Sequence, residues 1–208
     1  MSISPGYFIT FEGIEGSGKT TQIARLAAYL ETMGHHLITT KEPGGTEVGL
    51  KIRELLLDPQ TVFLSDLTEI CLFTADRLEH VHSVVKPSLA LGKTVICDRY
   101  VDSTYAYQQG GRQLSGILVD SLCHLIDLRP DITVLLDLDP EEGLRRAKSR
   151  AVLDRFEEET LLFHQRVRAM YLSRAAAEPD RFIVVSVASA SIDEVFGRVI
   201  EEVLSRLT

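Results

Sequence analysis

The sequence predicts an α/β fold: a five-stranded, mostly parallel sheet with helices on both faces. Two observations carry that expectation. Five short apolar or alternating segments rich in Val, Ile and Phe are separated by longer segments with helical spacing, and such alternation joins consecutive strands through helical crossovers. The 208 residues, 45% hydrophobic and 25% charged, suffice for one domain with its own core. No repeat, low-complexity tract or linker rich in Gly, Ser or Pro marks a second, so residues 1–208 are expected to form a single domain.

The elements follow in order. The first predicted strand is Tyr7–Phe11, and after it Ile23, Leu26, Ala27 and Leu30 stand at i, i+3, i+4 and i+7, the apolar stripe of a helix ending near Gly34. Strands are predicted at Leu37–Thr40 and Thr94–Cys97, with helices over Val48–Leu57 and Asp66–Gly92 between them. A helix over Leu114–Ile126 leads to a strand at Ile132–Leu138. Helices over Pro140–Arg150 and Glu157–Ala177 lead to the last strand, Phe182–Val187, and Ile192–Leu207 reads as the final helix. Arg145–Glu159 is the most charge-dense stretch and has little apolar content to bury; it reads either as a mobile flap or as a solvated helix surface.

Composition excludes several functions. With 22 Lys and Arg against 30 Asp and Glu, the net charge of -8 opposes non-specific attraction to nucleic acid or anionic lipid. Any phosphate site must be a local arrangement. No apolar run exceeds the five residues Leu26–Leu30, far short of a bilayer span, and the start MSISPGYFITF lacks the flank and core of a secretion signal, so a cytoplasmic protein is expected. Cys71, Cys97 and Cys123 are odd in number and have no CxxC spacing, which reads as buried thiols. The six histidines, His80 and His82 among them, show no metal spacing and read as polar residues on helix surfaces.

Gly13-Ile14-Glu15-Gly16-Ser17-Gly18-Lys19-Thr20, followed by Thr21, matches G-x-x-x-x-G-K-[ST] between the first strand and the first helix. Glycines let backbone N–H groups converge on the phosphates of ATP, and the helix N-terminus adds partial positive charge. Lys19 is expected to contact the transferable phosphate and Thr20 to offer its hydroxyl to Mg²⁺. The fold is therefore expected to be that of the P-loop NTPases. A guanine-specific switch would use Asn-Lys-x-Asp, but the chain has no Asn and no Lys followed two residues later by Asp. Asp137 and Asp139 suggest a metal-binding pair, though their place between strand and helix favours capping.

Cys97-Asp98-Arg99-Tyr100 closes the third strand at the edge that carries the P-loop. An Arg there can grip a second phosphate, and an Asp can hold Mg²⁺ through water or orient that Arg. Glu42-Pro43-Gly44-Gly45-Thr46 forms a stiff turn after the second strand, and Ser103-Thr104-Tyr105-Ala106-Tyr107-Gln108 supplies hydroxyls, rings and an amide. The residues alone thus reach a P-loop phosphotransferase for a small molecule.

From Phe8 to about Leu172 the chain resembles thymidylate kinases of the bacterial type. The resemblance rests on FEGIEGSGKTTQ (11–22), KEPGGT (41–46), LFTADR (72–77), DRYVDSTYAYQ (98–108) and LDRFE (153–157). It implies transfer of phosphate from ATP to dTMP, giving ADP and dTDP for dTTP synthesis, and a homodimer with no nucleic-acid or membrane partner. The closest rival is a kinase for another nucleoside monophosphate or a deoxynucleoside. A P-loop binding protein without turnover is a further alternative. The resemblance also implies that Phe73 stacks on thymine, Arg77 donates to a base carbonyl, and Thr104 and Gln108 meet the base edge. Tyr107 resembles the ring under the deoxyribose, Glu15 the carboxylate that reaches the 3′-hydroxyl, and Arg99 and Arg53 the grip on the dTMP phosphate. The segment 146–157 resembles the family's lid. Because positions 14–17 carry no basic side chain, transition-state charge falls to Arg146, Lys148 or Arg150, of which Arg150 aligns with the catalytic lid arginine. Two departures stand out: Lys41 where the family pattern has Arg, and Val185-Ser186-Val187-Ala188 in place of the usual adenine loop.

Overall fold

A computed structural model of the chain describes residues 6–58, 64–148 and 155–207. Its sheet contains β1 (Phe8–Glu12), β2 (Leu37–Lys41), β3 (Thr94–Asp98), β4 (Ile132–Asp137) and β5 (Phe182–Ser186), in the order β2-β3-β1-β4-β5. Every pairing is parallel, with Phe11 opposite Asp98 and Glu12 opposite Leu135. β1 is central and wholly buried, as its run Phe8, Ile9, Phe11 requires of a strand covered on both faces. The two polar side chains within it are satisfied: Thr10 Oγ1 pairs with Thr133 Oγ1 at 2.8 Å, and Glu12 belongs to the site described below. The chain runs from β1 to β2 at one edge of the sheet and later crosses over β1 between its neighbours β3 and β4, so the carboxyl end of β1 lies at the topological switch point.

Helices α1 (Lys19–Thr32), α2 (Glu47–Leu57), α3 (Asp66–His80), α4 (Lys86–Ala90) and α5 (Val101–Thr104) precede α6 (Gly116–Cys123), α7 (Pro140–Lys148), α8 (Leu161–Ala177) and α9 (Ile192–Arg206). α1 buries Ile23, Leu26, Ala27 and Leu30 against the sheet, the stripe its spacing predicts. Thr46, Ser65 and Thr160 cap α2, α3 and α8 by accepting from Gly49, Thr68 and Phe163 N–H groups, and α9 opens with a reciprocal Ser191–Glu194 capping box. Among the described residues no helix is long and apolar enough to cross a membrane.

The five predicted strands are all present, while several helix limits differ. The helix expected over Asp66–Gly92 is interrupted at Val81–Val85, where the backbone widens to a π-helical turn and Lys86 N–H bonds Val81 O. Pro87, which has no N–H to give Ser83, lies just beyond. α8 begins at Leu161, not Glu157, because Thr160 takes the capping position. α6 is shorter than Leu114–Ile126. Residues 101–111, to which the sequence assigned no helix, are helical, first as α5 and then as a π-helical stretch over Tyr105–Gly111. Buried Asp102 anchors that segment through Arg181 at 2.7 Å and Arg174 at 3.2 Å. Cys97 and Cys123 are buried as expected, but Cys71 is exposed on α3, where helical phase turns it outward. Residues 149 and 150, the predicted end of α7, lie outside the described residues.

Candidate active site

The loop between β1 and α1 is shaped by its glycines. Gly13 has φ 138°, and a Cβ there would stand 2.5 Å from Leu136 O. Gly16 has φ 73°, and its Cβ would stand 2.6 Å from Gly143 O. Both positions need glycine for conformation and for space. Lys19 Nζ donates to Gly13 O at 3.0 Å and Ile14 O at 3.1 Å. Burial, reinforced by nearby Arg99, pushes the Lys19 ammonium down to about 8. Ser17 Oγ is buried and has no hydrogen-bond partner among the described residues. Glu15, Gly16, Gly18, Lys19, Thr20 and Thr21 border one cavity of about 530 Å³.

Arg99 borders the same cavity from the end of β3. Its backbone is left-handed, with φ 68°, a strained conformation for a side chain of this size. Three contacts hold it: Arg99 N–H bonds Phe11 O at 2.9 Å, the Cys97 thiol donates to Arg99 O at 3.0 Å, and Tyr100 N–H bonds Glu12 Oε1 at 2.7 Å. The guanidinium, so aimed, donates to Glu15 Oε1 at 2.9 Å, Gly13 O at 3.1 Å and Tyr171 Oη at 3.2 Å, and lies 4.9 Å above the Tyr107 ring. Tyr107 Oη also donates to Glu15 Oε1, at 2.5 Å. Burial alone would raise the Glu15 carboxyl, but Arg99, His164 and Lys19 outweigh it and hold the group well below the usual carboxylate range.

The remaining wall carries Phe73 and Arg77 from α3, Arg53 from α2, and Thr104, Tyr107 and Gln108. Arg77 is no surface charge. It is buried, and donates to Glu42 Oε2 at 2.6 Å, Thr104 Oγ1 at 2.7 Å and Tyr100 O at 2.9 Å. Three of its five N–H groups are thereby used. Arg53 Nη1 donates to Pro43 O at 2.9 Å. His80 contradicts the surface reading given to the histidines: it is fully buried, with Nδ1 2.7 Å from Glu42 Oε1 and Nε2 2.7 Å from Thr40 Oγ1. Long-range folding brings His80, Glu42 and Cys97 within 4.8 Å of one another, which sequence spacing could not reveal. Both ring nitrogens of His80 are already engaged. Asp139 caps α7 through Glu141 N–H at 2.9 Å, and Asp137 pairs with Arg168, so neither is a free metal ligand.

Thr20 and Asp98 border both this cavity and an adjoining one of about 380 Å³, which Lys41 also borders. Asp98 Oδ1 is buried and unpartnered among the described residues. An orphaned carboxylate oxygen near a P-loop hydroxyl is the donor set a hard divalent cation prefers. On α7, Arg146 borders the cavity, reaches Gly16 O at 3.4 Å and pairs with Glu142 at 2.8 Å. Lys148 is exposed at the end of α7. Arg150, Leu153 and Asp154 lie outside the described residues. After them Phe156 is buried against Phe73 and Tyr107, with ring centroids 5.9 and 5.7 Å apart, so this end of the charge-dense stretch is no solvated surface.

Sequence reasoning missed Glu12, His164 and Tyr171. Glu12 accepts from Ser103 Oγ at 2.6 Å and Tyr171 Oη at 2.8 Å as well as from Tyr100 N–H. His164 Nδ1 lies 3.4 Å from Glu15 Oε2. The available signal was helical phase: His164 and Tyr171 are seven residues apart on the face of α8 that buries Phe163 and Val167.

Burial, then the charge of Asp102, pushes the Glu12 carboxyl up from 4.5 to about 7. Between these values the folded chain keeps a proton that the unfolded chain has released, so this group's contribution to stability falls as pH rises through the window and is constant above it. Glu12→Gln cannot titrate. From pH 5 to 7.5 the unsubstituted chain is expected to lose roughly 2–3 kcal/mol more than the variant in urea denaturation; equal losses would contradict the assignment.

The comparisons agree with this geometry. Residues 11–199 match the family model described as thymidylate kinase. The thymidylate kinase of Desulforapulum autotrophicum is 48% identical, across 96% of this chain and 92% of that protein. That of Deinococcus radiodurans is 50% identical, across 88% of this chain and 89% of its own length. The crystal structure of the Ehrlichia chaffeensis thymidylate kinase superposes with a TM-score of 0.78 at 38% identity, across 96% of this chain and all of that one. With its P-loop, its parallel sheet and these relatives, the chain belongs to the thymidylate kinase family.

Proposed function

We propose that this chain phosphorylates dTMP to dTDP by direct in-line transfer of the γ-phosphoryl group of Mg²⁺-bound ATP, in the synthesis of dTTP. The observation that carries the reading is Arg99, aimed from β3 into a cavity that has the P-loop on one side and Phe73, Arg77, Thr104 and Gln108 on the other. One cavity therefore borders a triphosphate cradle and a pocket suited to a planar base.

The ATP phosphates lie on the backbone of Gly13, Ile14, Glu15, Gly16, Ser17 and Gly18, with Lys19, Thr20 and Thr21 at the helix start. Thr20 and Asp98 hold the cation, which supplies charge neutralisation to the donor phosphates. Arg99, with Arg53, grips the acceptor phosphate. Phe73 packs on the thymine ring, the two remaining N–H groups of Arg77 serve a base carbonyl, and Thr104 and Gln108 meet the base edge. Tyr107 lies under the sugar, and Glu15 Oε2, unpartnered except for the longer His164 approach, accepts from the 3′-hydroxyl. No general base is required, because a phosphate monoester with a second pKa of about 6 is already mostly dianionic at neutral pH. Alignment and charge neutralisation remain as the work of the site. The same reading takes the segment 146–157 as a lid and the working form as a homodimer in the cytoplasm, with nucleic acid and membrane outside its partners.

A coupled ADP-release assay with Mg²⁺·ATP and dTMP, dUMP, UMP, CMP, GMP, AMP or thymidine tests the reaction. Strong preference for dTMP that disappears in Lys19→Ala is expected; another preferred acceptor would show that the base pocket is misassigned. For the lid, Arg150→Ala is expected to lower kcat at least about 100-fold with little change in either KM. A near-normal kcat would remove Arg150 from the catalytic role and leave Arg146 or Lys148.

A further inference from the structure

Glu69 lies on α3 in none of the motifs that mark the site, yet it is fully buried. Its carboxylate accepts from Gln108 Nε2 at 3.0 Å, from Arg112 Nε and Nη2 at 3.2 and 3.1 Å, and from Arg155 Nη2 at 2.7 Å. A glutamine amide can turn either end toward a neighbour. Here the neighbour's chemistry decides, because a carboxylate paired with two guanidinium groups offers acceptors only. The amide must give Glu69 its N–H end, and its carbonyl oxygen is left on the other side. Among the described residues nothing donates to that oxygen. Gln108 borders the same cavity as Phe73 and Arg77.

We infer that Glu69 is a positioning residue for base selection: by holding the Nε2 end of Gln108 it presents the Gln108 carbonyl as an acceptor to the base. That acceptor matches the N3–H of thymine or uracil and opposes the unprotonated N3 of cytosine. Arg77, which can only donate, selects in the same sense for a carbonyl over an exocyclic amine. The inference rests on the dTMP reading above. It assigns Glu69 no part in recognising the 5-methyl group, since thymine and uracil present the same N3–H.

The test compares kcat/KM for dTMP, dUMP and dCMP in the full chain and in Glu69→Gln, Gln108→Ala and the double variant. A glutamine at 69 can donate as well as accept, so it frees the amide at 108 to turn over. The dTMP to dCMP ratio is expected to fall at least about tenfold in Glu69→Gln, while the dTMP to dUMP ratio changes by less than about twofold. In the Gln108→Ala background, Glu69→Gln should leave the dTMP to dCMP ratio unaltered, a non-additivity that general loosening of the fold would not produce. An unchanged dTMP to dCMP ratio in Glu69→Gln, equal falls in both ratios, or a further fall in the Gln108→Ala background would each overturn the inference. Should Glu69→Gln fail to fold, Glu69→Asp, whose carboxylate is one methylene short of the Gln108 amide, takes its place with the same expected fall in the dTMP to dCMP ratio and the same overturning outcomes. Absence of dTMP turnover in the unsubstituted chain would overturn the functional reading itself, and the inference with it.

Discussion

A guanidinium held by buried partners beyond the carboxyl ends of β3 and the central strand β1 is the constraint on which the rest of the site depends. Arg99 follows β3 in a left-handed conformation that costs about 1–3 kcal/mol. The bonds to Phe11 O, from the Cys97 thiol and from Tyr100 N–H to Glu12 offset that strain. Tyr171 and Ser103 complete the sockets on Glu12, so α8 and α5 are tied to β1 through one carboxylate. The result is an arginine that meets Glu15 and the P-loop carbonyl of Gly13 at once. The end of β3 and the P-loop are thereby joined through a single side chain.

The electrostatics follow from this arrangement. The chain carries a net charge of -8, but its cavity gathers Lys19, Arg53, Arg77, Arg99 and Arg146. Each is kept in place by protein partners: Lys19 by loop carbonyls, Arg53 by Pro43 O, Arg77 by Glu42, Arg99 by Glu15 and Arg146 by Glu142. Burial together with Arg99 lowers the Lys19 pKa to about 8, which is the expected state of an ammonium held in a positive, desolvated site. An incoming polyphosphate reverses that cause. Preorganised cations of this kind need little rearrangement when charge arrives.

The sheet was legible because its signal is local. Strands such as Phe8–Glu12 and Ile132–Asp137 are short apolar runs bounded by turn residues, and the P-loop is contiguous in sequence. Phe73 and Arg77 were placed through their spacing on one helix and the family resemblance, and both border the cavity. What escaped depended on distant partners. His80 looks like any polar helix residue until Glu42 and Thr40 close on it from β2 and the turn beyond. Glu69 is one carboxylate among many until Arg112, Arg155 and Gln108 converge on it. The π-helical stretch Tyr105–Gly111 escaped for another reason: its turns do not keep the 3.6-residue phase that reveals ordinary helices.

The central claim is that Arg99 is the grip on the acceptor phosphate, and Arg99→Lys tests it because charge is kept while the planar fork is lost. Steady-state kinetics with both substrates varied should show kcat/KM for dTMP lowered by about 100-fold or more, with KM for ATP changed by less than about threefold. Near-normal dTMP kinetics, or equal losses for ATP and dTMP, would contradict the account.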